Sequence, residues 1–341
     1  MNGATLEAHL NSFASGGSEK ERQIADAIRH LTSAALKLRG AIAESASAAV
    51  NTSSRISVNA DGDHQHEIDL HADELFFQAA RAAEVASYAS EERVNPIAIN
   101  PASGIALAVD PLDGSSNIHN NLSIGSIFSI VPSTGDAEAD FLQQLAAGFF
   151  IYGPQLCLAL TLRQGTYIFA FSQRIGTFVE TRAALAMPVD TTTFSINTSN
   201  YRHWDEAVRL YVDDCLQGAE GVRGKDFNMR WNACLIAEAF RILLHGGAFL
   251  YPRDRRQGYG SGRLRLVYEG NPIAMLIEQA GGTAIDAAAP ILDLQPSSLH
   301  QRVPLIFGSK HEVGAIARYH VDPCSISARH PLFANRGLFR A

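Results

Sequence analysis

Two aspartates, Asp110 and Asp113, lie three residues apart in the segment VDPLDGSSNI, at the end of an apolar run. Two carboxylates that converge without a cation raise each other's pKa, which makes such a pair costly. A hard divalent cation such as Mg²⁺ prefers oxygen ligands and removes that cost. The small residues that follow, from Gly114 through Ser115 and Ser116 to Asn117, offer backbone N–H groups and hydroxyls to phosphate oxygens. The segment therefore suits a cation site beside an anion site.

The same segment also suits a plain turn, because Pro, Asp, Gly, Ser and Asn all favour turns and Asp often caps helices. Taken alone, DxxDG is more often such a turn. It is not an EF-hand loop, because the alternating acidic spacing of that loop is missing.

Further acids change this balance. Glu91 and Glu92 follow an apolar run, Asp63 and Asp69 lie in GDHQHEIDLHADE, and Glu269 stands between an apolar strand and a helix that begins near Pro272. Each has an ordinary interpretation: a solvated acidic turn for the glutamate pair, a helix cap for Asp69, and a favourable charge at a helix N-terminus for Glu269.

Helices and strands that could position these residues follow from hydrophobic periodicity. Residues 19–46 have helical spacing, DELFFQAARAAEV predicts a second helix, and GIALAVD predicts a buried strand that ends at Asp110. The segments SIGSIFSIV, AAGFFIY, LCLALTL and TYIFAFS predict an antiparallel meander. Strands and helices alternate again after Ala186. We therefore expect a mixed α/β (α+β) protein with two closely packed lobes, residues 1–186 and 187–341.

Bulk composition excludes several classes of protein. The 341 residues carry a formal net charge of −7, which argues against a nonspecific nucleic-acid surface. The N-terminus lacks the basic and apolar regions of a signal peptide, and the four cysteines form no CxxC pair, so we expect reduced thiols in an intracellular protein. The uncharged stretch 141–162 is interrupted by GPQ, which predicts a turn between two buried strands rather than a membrane span.

Six segments, taken in order, resemble class I fructose-1,6-bisphosphatases: SEER, DPLDGSSNI with SIGSIF, GGAFLYP, GRLRLVYEGNP, EQAGG and HQRVPLIFGS. Inositol monophosphatases share DPLDGSSN in looser form, but the ordered set is narrower. The resemblance implies a layered α-β-α-β-α sugar-phosphatase fold. It also implies two to three Mg²⁺ ions per site, with Mn²⁺ as a substitute, and a homotetramer. From the charge, the cysteines and the interrupted apolar stretch we expect a cytoplasmic protein without nucleic-acid or membrane partners.

The resemblance also assigns roles to individual residues. The metal ligands would be Glu91, Glu92, Asp110, Asp113, Glu269 and the Leu112 carbonyl. The residues that orient and deprotonate the attacking water would be Asp69, Asp63 and Glu92. The departing phosphate would be bound by the loop that begins at Gly114, with Ser115, Ser116 and Arg265. The far end of the sugar, with its second phosphate, would be bound by Asn197, Tyr251, Arg263 and, across a subunit interface, Arg230.

This sequence departs from the family at some of these sites. Asn200, next to Tyr201, and Trp231 replace two tyrosines that are usual near the second phosphate, and Arg263 replaces a usual lysine. The preference between six- and seven-carbon bisphosphates therefore stays open.

Two regulatory features of the family are also missing. Gly104 and Ile105 replace a Lys-Tyr pair of AMP-inhibited members, and a further arginine of that site falls near Pro132. Weak or absent AMP inhibition is the consequence. The loop PSTGDAEAD carries no cysteine, so we expect no thiol switch.

The leading interpretation is Mg²⁺-dependent hydrolysis of the 1-phosphate of fructose 1,6-bisphosphate to fructose 6-phosphate, in gluconeogenesis or the Calvin cycle. A sedoheptulose-1,7-bisphosphatase or a dual-substrate enzyme is the near alternative. An inositol-type monophosphatase is disfavoured, because a monophosphate needs no second anion site such as Arg230 and Arg263. A non-catalytic sugar-phosphate sensor is a remote alternative, since the costly carboxylates are all retained.

Overall fold

Two large β-sheets, two small two-stranded sheets and the covering helices make up the described part of the chain. The computed structural model describes residues 3–48, 57–58, 64–65, 67–134 and 143–321. The helices are α1 Leu6–Ala14, α2 Glu19–Ala48, α3 Glu67–Ala82, α4 Glu206–Leu216, α5 Leu235–His245, α6 Asn271–Gln279 and α7 Lys310–Val321. The strands are β1 Ser57–Val58, β2 His64–Gln65, β3 Ser87–Ser90, β4 Ile97–Ala98, β5 Ile105–Asp113, β6 Ile124–Pro132, β7 Ala146–Tyr152, β8 Leu156–Thr161, β9 Thr166–Ser172, β10 Thr177–Arg182, β11 Thr193–Ser195, β12 Asn228–Arg230, β13 Ala248–Tyr251, β14 Leu264–Arg265, β15 Thr283–Ile285, β16 Arg302–Val303 and β17 Leu305–Gly308.

The first large sheet has eight strands in the order β10-β9-β8-β7-β6-β5-β3-β4. From β5 to β10 each strand pairs antiparallel with the next, so the predicted meander is confirmed. β7 and β8 are buried throughout and are joined by the predicted turn at residues 153–155. The apolar run in this region is therefore explained by a sheet covered on both faces.

The core alternates across the two sheets and forms five layers. Phe150 packs with α1, α2 and α3 on one face of the eight-stranded sheet, while its neighbour Phe149 packs with α5 and α6 on the other. Phe249 of the second sheet contacts that same middle layer, and Leu250 packs with α4 and α7 beyond it. Adjacent strand residues face opposite sides, so each sheet joins two helical layers. The mixed α/β class and the layered α-β-α-β-α order are confirmed.

The second large sheet has the order β12-β11-β13-β17-β15. β12, β11 and β13 run parallel to one another, whereas β17 is antiparallel to β13 and β15. The carboxyl ends of the three parallel strands therefore lie at one edge of the sheet, which is where such sheets commonly place binding residues.

Three boundaries differ from the sequence-based expectations. β5 continues past Asp110 to Asp113, because a register irregularity keeps it paired with β6. The apolar segment before Glu269 is not an extended strand: it becomes a π-helical turn over Leu266–Gly270 that leads directly into α6. α5 begins only at Leu235, since Cys234, the residue before it, is extended. None of the described helices is long and apolar enough to cross a bilayer.

Candidate active site

Three buried or half-buried carboxylates lie together where the end of β5 meets the turn before α6. Oxygens of Asp110, Asp113 and Glu269 all lie within 4.8 Å of one another. Asp110 and Asp113 come from β5, and Glu269 comes from the π-helical turn before α6. Single π-helical turns are found often at functional sites. The structure thus brings together three predicted metal ligands from distant parts of the sequence.

A bulge in β5 explains why Asp110 and Asp113 converge. Residues three apart in a regular strand face opposite sides, and the bulge at Pro111 and Leu112 removes that opposition. Ser126 Oγ donates a hydrogen bond to the Pro111 carbonyl at 2.7 Å. A further hydrogen bond of 2.9 Å joins Ser126 Oγ to the Tyr152 hydroxyl. These two buried groups hold the bulge, and the sequence motif gave no signal for them.

Glu91 and Glu92 follow the strand that neighbours β5. β3 and β5 are parallel, and the Glu91 amide donates to the Val109 carbonyl at 3.0 Å, so Glu91 and Asp110 emerge at the same edge of the sheet. Arg265 Nη1 makes an ion pair with Glu91 Oε1. The Arg265 backbone amide donates to Glu269 Oε2 at 2.5 Å. Arg265, which is predicted to contact the phosphate, is 5% exposed. It directly contacts two predicted metal ligands, Glu91 and Glu269.

Burial and mutual repulsion raise the pKa values of the acids in this cluster. Burial raises the pKa of Asp110 well above its ordinary value, and the charges of Glu91, Asp113, Glu269 and Glu92 raise it further. The pKa of Glu269 is raised by burial first and then by Glu91 and Asp113. Such a site favours either protons or cations.

The donor set fits a hard divalent cation. The three clustered residues offer carboxylate oxygens, and neither histidine nor a cysteine belongs to that group within the described residues. Oxygen-only ligands are typical of Mg²⁺, Mn²⁺ and Ca²⁺ rather than of structural zinc sites. A cation would also relieve the mutual repulsion that raises the pKa values of these acids.

The N-terminus of α5 supports Asp113 in a way the sequence did not indicate. Ile236 N donates to Asp113 Oδ2 at 3.2 Å, and the Cys234 thiol lies 3.5 Å from the same oxygen. Burial raises the pKa of Asp113, and the Ile236 hydrogen bond opposes that rise. The sequence NAC before the apolar helix does not predict that the start of this helix contacts a distant aspartate.

The small-residue loop begins directly after Asp113. Gly114 has a positive φ of 78°, which permits a tight turn into the 3-10 helix Ser115–Asn120. Asn117 is buried and its Nδ2 donates to the Ala233 carbonyl at 3.3 Å, so the loop is tied to the residues before α5. Ser116 is exposed and Ser115 half-buried at the start of this turn.

Asp69 and Asp63, two of the three residues predicted to handle the attacking water, differ in what the structure describes of them. Asp69 is 2% exposed in the first turn of α3, a helix that packs on β5 and β3. It lies inside the helix rather than at its N-cap. Asp63 falls outside the described residues.

Three of the four residues predicted for the second phosphate lie at the parallel edge of the second sheet, and the fourth, Arg263, directly precedes β14. Arg230 ends β12, Tyr251 ends β13, and Asn197 follows β11 by two residues. Asn197 Oδ1 accepts hydrogen bonds from Ser199 N at 3.2 Å and Ser199 Oγ at 2.6 Å. The carbonyl end of the Asn197 amide is therefore occupied, and its NH₂ group remains as a donor.

Aromatic packing fixes this edge. The Trp231 ring stacks on Phe249 with centroids 6.1 Å apart and an interplanar angle of 9°, and it lies 6.1 Å from the Tyr251 ring. Tyr201, the neighbour of Asn200, donates its hydroxyl to both carboxylate oxygens of Asp213, at 3.0 and 2.9 Å. Its phenol is thus engaged with α4 and does not replace a tyrosine at position 200.

The positions compared with AMP-inhibited proteins lie on two paired strands, at Ile105 and Pro132, and directly before the first of them, at Gly104. Ile105 of β5 is the register partner of Pro132 of β6 and is fully buried. A Cβ added to Gly104 would lie 3.1 Å from the Lys20 side chain. No side-chain cation stands at any of these three positions.

Comparison with known proteins identifies the family. The model of the fructose-1-6-bisphosphatase N-terminal domain matches residues 11–183, and that of the fructose-1-6-bisphosphatase C-terminal domain matches residues 187–321. The chain belongs to the fructose-1,6-bisphosphatase family. The suspected resemblance is thereby confirmed, over a larger part of the chain than the quoted motifs cover.

Curated relatives and solved structures agree with that assignment. The chain is 54% identical over 349 aligned positions to a class 1 fructose-1,6-bisphosphatase of Sinorhizobium medicae and to one of Rhizobium meliloti, with 100% of each chain covered. The holo form of Leishmania major fructose-1,6-bisphosphatase aligns with a TM-score of 0.85 and 27% identity, covering 94% of this chain and 99% of that one.

Proposed function

We propose that this protein is a phosphoric monoester hydrolase that releases the 1-phosphate of D-fructose 1,6-bisphosphate and yields fructose 6-phosphate. The observation that carries the proposal is the convergence of Asp110, Asp113 and Glu269 within 4.8 Å, beside a small-residue loop. Class 1 fructose-1,6-bisphosphatases that match the entire chain support the choice of substrate.

Mg²⁺ is the proposed cofactor, two to three ions per site, with Mn²⁺ as a substitute. The ligands would be Glu91, Glu92, Asp110, Asp113, Glu269 and the Leu112 carbonyl. Such ions, when bound, neutralise phosphoryl charge, lower the pKa of water and stabilise the leaving oxygen.

Side chains around this cluster would activate the attacking water and bind the departing phosphate. Asp69, Asp63 and Glu92 would orient the attacking water and accept its proton. Backbone N–H groups from Gly114 onward and the hydroxyls of Ser115 and Ser116 would hold the departing phosphate. Arg265, which makes an ion pair with Glu91, would contact the same phosphate through its guanidinium.

The second phosphate would orient the sugar through Asn197, Tyr251 and Arg263. The Arg230 side chain is exposed on edge strand β12, and its guanidinium makes no hydrogen bond or ion pair within the described part of the chain. We assign it to the second phosphate of a neighbouring subunit in a homotetramer. The cytoplasm is the proposed compartment, since the described cysteines, Cys157, Cys215 and Cys234, are free thiols.

Sedoheptulose 1,7-bisphosphate is the second candidate substrate. Trp231 and Asn200 give the far end of the site an indole and an amide where phenols are usual, which alters the donors that meet a longer sugar. Activity on it would add the Calvin cycle to gluconeogenesis as a setting.

The test is phosphate release from fructose 1,6-bisphosphate with Mg²⁺ and with excess EDTA, with fructose 6-phosphate measured in parallel. Equal amounts of both products, formed only with the metal, support the proposal. Release of the 6-phosphate instead, or release that EDTA does not abolish, contradicts it.

A further inference from the structure

An arginine-rich loop connects two residues assigned to the second phosphate. This loop, residues 252–262, joins Tyr251 at the end of β13 to Arg263 before β14, and it carries Arg253, Arg255 and Arg256. Nothing assigned so far explains its central aromatic residue, Tyr259.

The backbone of the loop fixes Tyr259. The amides of Asp254 and Gly262 both donate to the Tyr259 carbonyl, at 3.2 and 3.1 Å. The Tyr259 amide donates in turn to the Arg256 carbonyl at 3.1 Å. A positive φ of 83° at Gly258 allows the tight turn just before it. The loop is therefore closed on itself, and Tyr259 is where its hydrogen bonds meet.

Two guanidinium groups flank the Tyr259 ring. The Arg256 guanidinium carbon lies 4.2 Å from the ring centre and that of Arg263 lies 5.3 Å away, both within cation–π range. Asp254, which is 8% exposed, pairs with Arg256 and offsets its charge. Arg263 has no such carboxylate among its described contacts, so its charge remains for an anion.

The hydrogen bond between Tyr259 and Arg263 has a fixed direction. Arg263 Nη1 lies 2.5 Å from the Tyr259 hydroxyl oxygen. Arginine has donors only, so the phenol oxygen must accept. The phenolic hydrogen is then still available, and phosphate oxygens are acceptors. Tyr259 can therefore donate to the anion that Arg263 attracts.

Tyr259 also lies within electrostatic range of Tyr251. Burial raises the pKa of Tyr251, the charge of Arg263 lowers it, and Tyr259 raises it again. These three side chains therefore lie close enough in space for their charges to interact. Tyr201, the other nearby phenol in the sequence, already donates to Asp213.

We propose that Tyr259 is a further binding residue for the second phosphate, which donates its phenolic hydrogen to a phosphate oxygen while its oxygen and ring orient Arg263. This inference rests on the proposed function, because that proposal places Arg263 at the second phosphate. It adds a donor from the loop to a pocket where Asn200 and Trp231 supply no phenol.

The test compares Tyr259→Phe with the wild type. The variant keeps the ring over Arg263 and loses only the hydroxyl. We expect KM for fructose 1,6-bisphosphate and the inhibition constant for fructose 6-phosphate to rise about tenfold, the usual effect of losing a hydrogen bond to a charged group. The kcat should stay within about twofold, since the reacting phosphate is not touched. Tyr167→Phe, on β9 of the other sheet, is the matched control and should change neither constant.

Fructose 1-phosphate separates binding from folding effects, because it lacks the second phosphate. Its hydrolysis should be unchanged in Tyr259→Phe. An equal loss on both substrates, or an unchanged KM for the bisphosphate, would overturn the role of Tyr259.

Arg263→Ala separates this inference from the proposed function. If Arg263→Ala raises KM and Tyr259→Phe does not, the role of Tyr259 is wrong and the proposed function stands. If Arg263→Ala also leaves KM unchanged, the placement of the second phosphate itself is wrong. In the double variant we expect less than the product of the two single effects, because the two side chains act together.

Discussion

The backbone amide of Ile236 lies 3.2 Å from Asp113 Oδ2, so the first turn of α5 anchors a carboxylate at the end of β5 in the eight-stranded sheet. A helix N-terminus stabilises negative charge through its partial positive charge and its unpaired N–H groups. Asp113 is therefore kept more acidic than burial alone would allow, and it is oriented toward Asp110 and Glu269. The two halves of the chain meet at this contact, which makes the cluster sensitive to how they pack.

Asp113→Asn should reduce phosphatase activity by at least about a hundredfold, the scale of losses around metal sites. The amide retains the shape of the side chain but loses the charge that a divalent cation needs. The measurement is kcat/KM with saturating Mg²⁺, together with the rise in Tm that Mg²⁺ causes. Glu278→Gln, a change of another partly buried acid whose pKa burial raises, is the control at the far end of α6. Near-normal activity in Asp113→Asn would show that the cluster is not the metal site.

Arg230→Ala should raise KM for the bisphosphate far more than it lowers kcat. The exposed guanidinium on β12 is assigned to binding the second phosphate and not to the reacting one. Arg209→Ala, which changes a half-buried arginine of α4 without an assigned role, is a control for loss of one positive charge. A large fall in kcat at unchanged KM would refute the binding role.

AMP at micromolar concentration should leave the rate unchanged. Gly104 and Ile105 have no charged side chain, and Ile105 is buried opposite Pro132. A nucleotide phosphate would therefore find no cation on these two strands. The check is an inhibition curve at subsaturating substrate, and a micromolar inhibition constant would contradict the prediction.

The half-buried ring of His9 should make the stability of α1 packing depend on pH. Its ring lies 4.4 Å from the Tyr167 ring, and burial lowers its pKa below the ordinary 6.5, although Glu180 partly opposes this. The folded state therefore prefers the neutral ring, while the unfolded chain binds the proton more readily. This contribution to stability is present above pH 6.5 and is lost as pH falls below it.

Amide hydrogen exchange in α1, corrected for the intrinsic pH effect, should therefore speed up between about pH 7.5 and about pH 5.5 relative to exchange in α7. His9→Phe should remove the difference while retaining the aromatic contact. The same acceleration in His9→Phe would mean that another group is responsible.

The fold and the acidic motif could be anticipated from the sequence, whereas the supporting contacts could not. Continuous apolar runs separated by turn residues located the meander, because β7 and β8 are buried on both faces. The bulge that turns Asp113 toward Asp110 depends on Ser126, which lies on a different strand. The helix start at Ile236 and the stacking of Tyr259 on Arg263 likewise depend on packing between segments, which local patterns do not encode.

The most direct test of the central claim is phosphate release from fructose 1,6-bisphosphate and sedoheptulose 1,7-bisphosphate, side by side, with Mg²⁺ and with EDTA. We predict Mg²⁺-dependent release from the six-carbon substrate at a clearly higher kcat/KM. Comparable rates on both would make the protein a dual-substrate enzyme. Release from neither, with Mg²⁺ present and the protein folded, would contradict the account and mean that the carboxylate cluster serves another purpose.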